Sequence, residues 1–186
     1  MDEITPELIR QAANGHIPSC EHLFRVYSPA VFSVAYRMLN QREDAEDVTQ
    51  SVFVKVYSKL RDFRFEASIK TWIHRITINE TLNKLKKTTR ERENIDCFSK
   101  THSEDSSKNN VDICVEREYR QQVIQGLLNL LSPEYRTCMI LRNVEKFSYQ
   151  EIADTTQVNI NTVKSRLKRA REILLAHKTE VMNNEL

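Results

Sequence analysis

Apolar residues recur along this chain at three- and four-residue spacing, in blocks separated by short polar breaks, which predicts helix after helix. Thr5-Pro6-Glu7 reads as an N-cap, a proline at the first helical position and an acid facing the dipole, so a short helix with Leu8, Ile9 and Ala12 inward starts there. Asn14-Gly15 ends it. Ser19 is the expected cap of a second helix carrying Leu23, Phe24 and Tyr27. After Ser28-Pro29, a third is expected through Val31, Phe32, Val34, Ala35, Met38 and Leu39. Ala45, Val48, Val52, Val56 and Leu60 mark the next one, over residues 42–60, with Phe53 and Tyr57 beside the stripe. Residues 62–68 break the period and read as a loop, after which Ser68 caps a long helix with Ile69, Trp72, Ile73, Ile76, Leu82 and Leu85 on its inner side.

From Arg92 to Val115 the pattern dissolves into a Ser/Asn/Asp-rich stretch that cannot bury enough apolar area to offset its ordering entropy. Helix is expected again from Glu116, with Tyr119, Val123, Ile124, Leu127, Leu128 and Leu131 packed. Ser132-Pro133-Glu134 stops that helix and starts another, carrying Cys138 to Leu141. Ser148-Tyr149-Gln150-Glu151 fits a capping box opening a helix over residues 149–155. A short turn over residues 156–161 leads into a last helix with Val163, Leu167, Ala170 and Leu174 on one side. The fold class predicted is all-α: two small helical domains, residues 1–92 and 113–186, joined by a flexible linker over 93–112, the second a helix-turn-helix domain.

Composition supports this: among 186 residues there are only two glycines and four prolines. The net charge of +2 says little about partners, but its distribution says more. Acids cluster at Glu43, Asp44, Glu46 and Asp47, where the helix dipole favours them. Lys70, Arg75, Lys84, Lys86 and Lys87, continued by Arg90 and Arg92, make one side of the long helix cationic. Lys164, Ser165, Lys168, Arg169 and Arg171 do the same for the last helix, which suits a DNA groove unless it is a merely solvated face. Aromatics beside cations suit single-stranded nucleic acid, although Trp72 is in phase with the apolar stripe and reads as core. Asp47, Gln50 and Val54 share a second, mixed face of their helix, as a partner-binding surface requires.

Several classes of chemistry find no support. Cys20, Cys97, Cys114 and Cys138 form no C-x-x-C pair and no disulfide-like spacing. His16, Cys20 and His22 lack the further ligands a zinc site needs, so no metal or cofactor is expected. No nucleophile motif or phosphate-cradling glycine loop is present, so the chain is not expected to be an enzyme. The acidic opening residues and the lack of a long apolar run predict a reduced, cytoplasmic protein without membrane insertion.

The stretches D-A-E-D-V-T-Q-S-V-F-V-K-V-Y, F-R-F-E-A-S-I-K-T-W-I-H-R-I-T-I-N, L-S-P-E-Y-R-T, F-S-Y-Q-E-I-A and N-T-V-K-S-R-L-K-R-A-R occur in this order. In them the chain closely resembles bacterial sigma factors of the extracytoplasmic-function group, over nearly its whole length. The resemblance implies a polymerase specificity subunit whose partners are core RNA polymerase, through the β′ clamp helices and the β flap, promoter DNA, and an anti-sigma protein. By position it implies that Asp47 and Gln50 meet the clamp helices. It also implies that Phe63, Arg64, Phe65, Ser68, Lys70, Arg75, Asn79 and Lys84 read and melt the −10 element, the loop taking a flipped base. For the −35 duplex it implies Thr162, Lys164, Ser165, Lys168 and Arg169 toward the major groove, with Arg166 and Arg171 on phosphates. Departures fall in the turn: Gln157 stands where the family usually has glycine, and Asn159 and Asn161 where it often has proline and glycine. Ile160 replaces a usually polar residue, and Lys164 is arginine in some relatives. The competing reading is a stand-alone helix-turn-helix regulator that binds duplex DNA without polymerase.

Overall fold

The computed structural model describes residues 4–95 and 113–184. Helix α1 (Pro6–Ala13) begins at Thr5, whose hydroxyl accepts from the Leu8 amide at 3.2 Å, and stops where Gly15 takes a φ of +87°. The two helices expected next are one: α2 runs unbroken over Ile17–Leu39 with Pro29 inside it. An interior proline costs about 3 kcal/mol. Leu23, Val31 and Val34, on either side of it, have no exposed surface, and burial of such side chains contributes roughly 1.5–3 kcal/mol each. The shared core therefore carries the helix through the proline. Ser19 lies inside α2 rather than at its cap, its hydroxyl donating to Gln11 Oε1 at 3.0 Å.

Helix α3 (Arg42–Lys59) follows, then one 3-10 turn at Leu60–Asp62, then α4 (Ile69–Ile95). Ser68 caps α4 as expected, its Oγ accepting from the Thr71 amide at 3.0 Å. A core formed by Leu23, Ala35, Val52, Val56 and Ile73, with further apolar residues, joins α1 to α4. Thr77 and Thr81 of α4 are buried too, and each returns its hydroxyl to the carbonyl one turn back, at 2.9 and 2.8 Å, so neither is an orphan.

The second half comprises α5 (Ile113–Asn129), α6 (Pro133–Asn143), α7 (Tyr149–Thr156) and α8 (Ile160–Asn184). Helix α4 reaches Ile95, beyond the boundary expected at 92, and residues 96–112 of the expected linker lie outside the described residues. The packed side expected for α5 is corrected in part. Tyr119, Val123 and Ile124 are exposed, while Gln125 is buried, because α5 meets the rest of the chain mainly through its last turns. Ser132 occupies the N-cap position of α6 without a side-chain cap bond, and Pro133 takes the first turn. The capping box of α7 is complete: Ser148 Oγ accepts from the Glu151 amide at 3.2 Å, and Glu151 Oε2 accepts from the Ser148 amide at 2.8 Å. In the turn that follows, Gln157 adopts the left-handed conformation at φ 55°, and Asn159 Oδ1 accepts from the Asn161 amide at 2.8 Å. The turn thus closes without glycine.

The halves dock on one another. Val34 and Met38 of α2 and Ile78 of α4 share a core with Cys138, Ile140, Leu141, Phe147, Ile152 and Leu167. Among the described residues, no helix is long and apolar enough to cross a membrane.

Candidate nucleic-acid interface

Helix α8 is seated by the stripe its sequence predicts. Val163, Leu167 and Ala170 are buried against α6 and α7, and Leu174 is half-buried. That packing aims Lys164, Ser165, Lys168 and Arg169 outward, with Arg171 also exposed and Thr162 half-buried. Arg169 Nη1 donates to Glu172 Oε2 at 3.1 Å, and Lys168 lies 4.0 Å from the same carboxylate. These exposed pairs are weak, so both cations can be drawn to a more strongly negative polymer. Ser165 Oγ donates to the Thr162 carbonyl at 2.9 Å.

Arg166 behaves differently from its neighbours. It is half-buried and turns toward Cys138 and Glu134 of α6. The Glu134 carboxylate is held below the ordinary range chiefly by its own backbone amide, aided by the Ser132 hydroxyl and the charges of Arg166 and Lys86, against the opposing effect of burial. Burial pushes the Cys138 thiol up, with Arg166 partly offsetting it. Between α6 and α8 lies a polar hollow of about 610 Å³ with Glu134, Tyr135, Arg166 and Arg169 among its walls.

The loop before α4 presents rings. Phe63 is half-buried, with centroids 4.8 Å from Phe65 and 5.3 Å from Trp72. Trp72 itself packs half-buried on the first core. Phe65 sits at φ 59°, an uncommon conformation for an aromatic residue, and is 42% exposed with the Arg10 guanidinium 5.4 Å from its ring. Arg64 is exposed. Ser68 is exposed as well, although its hydroxyl is engaged as the α4 cap.

Along α4, Asn79 is exposed and Arg75 half-buried. Lys84 does not stand free on a cationic face. Its ammonium lies 2.8 Å from Asp44 and 3.4 Å from Asp47, and those contacts, led by the hydrogen bond to Asp44, raise its pKa. Lys70 is pinned by the second half of the chain: its Nζ donates to the Glu145 carbonyl at 2.8 Å.

On α3 the mixed face is real. Asp47 is 68% exposed in its side chain and Val54 is 67% exposed, with Gln50 exposed between them. They edge a groove of about 740 Å³ between α3 and α4. A second groove, of about 640 Å³, runs between α5 and α8, with Val123, Leu127, Leu174 and Leu175 as its apolar walls and Arg171 and Lys178 at its rim.

His16, Cys20 and His22 do not converge. His16 pairs with Ser19, the Cys20 thiol donates to the Ala12 carbonyl at 3.4 Å, and His22 faces Arg25. Among the described residues no group of three or more His, Cys, Asp or Glu side chains could hold a metal.

The sequence reading missed the residues that join the halves: His74, Gln125, Arg136, Glu145 and Phe147. Phe147 carried a weak signal, as an isolated ring among polar neighbours. The others carried none, since their partners lie on distant helices.

Residues 23–91 match the Sigma-70 region 2 family model, and residues 121–174 match that of Sigma-70 region 4. The ECF RNA polymerase sigma-E factor of Escherichia coli K12 is 30% identical over 138 residues, which is 70% of this chain and 72% of that protein. The chain belongs to the sigma-70 family, in its ECF group. The first half is region 2 and the second region 4. The ECF sigma factor SigE of Mycolicibacterium smegmatis is also 30% identical, over 164 residues and 85% of this chain, which spans only 61% of that longer protein. Among solved structures, the sigma factor RpoE of Bartonella quintana, in complex with the anti-sigma factor NepR, superposes with a TM-score of 0.65 at 26% identity. That match covers 83% of this chain and 92% of that one.

Proposed function

We propose that this ECF sigma factor docks on core RNA polymerase, directs it to a specific promoter set and is held inactive by an anti-sigma protein. It serves as a non-catalytic specificity subunit that works in the cytoplasm with the polymerase. Asp47 and Gln50 of α3 meet the β′ clamp helices, and the apolar groove between α5 and α8 receives the β flap. The loop with Phe63, Arg64, Phe65 and Ser68, together with Lys70, Arg75, Asn79 and Lys84, holds the melted −10 strand, where stacking and phosphate contacts offset the cost of flipping a base. Lys84 must then exchange its carboxylates for a phosphate. Thr162, Lys164, Ser165, Lys168 and Arg169 face the −35 major groove. Arg171 takes a phosphate, while Arg166, turned toward Glu134, braces the helix as well as approaching the backbone.

One observation carries the reading. Asp47, Gln50 and Val54 form an exposed mixed face on a helix whose other side is fully committed to the core, and beyond the long 3.4 Å contact of Asp47 with Lys84 they serve no internal packing. Run-off transcription with purified core enzyme tests it, and no added initiation at any genomic promoter counts against it. A stand-alone regulator would instead shift duplex DNA tightly without polymerase.

A further inference from the structure

Helix α1 lies outside residues 23–91, the span that matches region 2, and yet it delivers a charge to the loop before α4. The Arg10 guanidinium, in the last turn of α1, stands 5.4 Å from the centre of the Phe65 ring. Arg61, in the 3-10 turn that opens the loop, donates from Nε to the Ala13 carbonyl at 3.1 Å. That bond ties the C-terminal end of α1 to the root of the loop, so the segments that carry Arg10 and Phe65 are fastened together.

Phe65 is the unusual member of the pair. An aromatic residue with a left-handed φ of 59° carries backbone strain, and such strain gathers at ligand clamps. Phe63 turns onto Trp72, with ring centroids 5.3 Å apart, whereas Phe65 remains 42% exposed and buries little area in return for its strain. Nor does Arg10 stabilise the fold appreciably. An exposed cation beside a ring is a weak contact, and its carboxylate partner Glu7, 3.7 Å away, is exposed as well. What the arrangement does fix is position: an open aromatic plane stands beside a cation whose side chain is 61% exposed. A single strand presents the complement, a base to stack on a ring and a phosphate to meet a cation.

We propose that Arg10 is a further DNA-contacting residue of the −10 surface: a base stacks on Phe65, and the phosphate beside that base takes the Arg10 guanidinium from Glu7. This rests on the reading of the loop before α4 as the −10 site. It makes α1 part of the promoter-reading surface, as a cationic arm alongside the loop.

The test uses the full chain mixed with core polymerase, as wild type, Arg10→Ala, Arg10→Lys and Phe65→Ala. The probe is a labelled oligothymidine carrying a single 5-iodouracil, which on irradiation joins to aromatic rings stacked against it. Only label joined to this chain is counted, so binding by the polymerase itself does not enter. Wild type is expected to be labelled at Phe65, and Phe65→Ala to lose that label. Arg10→Ala should raise the half-saturating oligothymidine concentration several-fold and flatten its salt dependence by about 0.7 in log–log slope, the share of one phosphate contact on a single strand. Arg10→Lys should restore the slope, and the urea midpoint should be the same in all three Arg10 forms. If Arg10→Ala binds as wild type does, or more weakly with an unchanged slope, while Phe65 is still labelled, the proposal is overturned and the reading of the loop stands. No label on residues 63–68 of the wild-type chain overturns both.

Discussion

Arg136 of α6 reaches into region 2 and donates from Nη1 to the Met38 carbonyl at 2.8 Å. Its other terminal nitrogen donates to the carbonyls of Leu131 at 3.2 Å and Asn129 at 3.4 Å. One planar guanidinium thereby satisfies carbonyls at the C-terminal ends of both α2 and α5, where helices leave such groups unpaired. Gln125 adds a parallel link, donating to the Arg37 carbonyl at 3.0 Å.

Removing that guanidinium has a predictable cost. Hydrogen bonds from a charged donor are worth about 1.5–3 kcal/mol, and the orphaned carbonyls add their own penalty. Arg136→Ala is expected to lower unfolding stability by roughly that amount, with Arg136→Lys recovering only part, since an ammonium lacks the fork. Urea unfolding checks this, and a loss below about 0.5 kcal/mol, the range of an ordinary surface change, would contradict it.

Acid should loosen the seam. Burial alone pushes the Glu145 carboxyl up, but the hydrogen-bonding and charge of His74 and Lys70 outweigh it, and the group titrates below the ordinary glutamate range. A folded value below the unfolded value, about 4.3, contributes stability that is complete above the unfolded value and is lost as pH falls through the folded one. Wild type should therefore lose stability more steeply than Glu145→Gln below about pH 5. Glu134 and Glu151 are depressed too, but both proteins retain them, so the difference isolates Glu145. Parallel acid limbs in urea titrations would count against this assignment.

Asp47 separates binding from stability. Its side chain is 68% exposed and its contact with Lys84 is long at 3.4 Å. Asp47→Ala should therefore change unfolding stability by less than about 0.5 kcal/mol, yet weaken association with core polymerase. Thermal melting and co-sedimentation measure the two effects, and undiminished association would remove Asp47 from the docking face.

Arg169 is the sharpest test of base reading on α8. If its guanidinium meets a base edge, Arg169→Ala should reduce discrimination at one −35 base pair by about 1–3 kcal/mol. A uniform loss on all duplex sequences, with a shallower salt dependence, would reassign it to a phosphate.

Much of this was legible from local pattern. The caps at Thr5, Ser68 and Ser148, the α8 stripe of Val163, Leu167 and Ala170, and the second face of α3 all follow from interactions within a few residues. At the turn after α7, Gln157 itself takes the left-handed conformation that glycine usually supplies, while Asn159 caps the Asn161 amide. Pro29 was misread because its local penalty is real and is overridden only by the core on either side of it.

Apart from the break expected at Pro29, the sequence by itself determined the helices, their order and the two family regions, since helix periodicity and capping act over a few residues. Tertiary structure alone decided that Lys84 is held by Asp44, that Arg166 turns inward, that the outer side of α5 stays exposed, and that Glu145 covers Lys70. Those outcomes depend on charges and carbonyls brought together from distant helices, whose mutual distance no local pattern encodes.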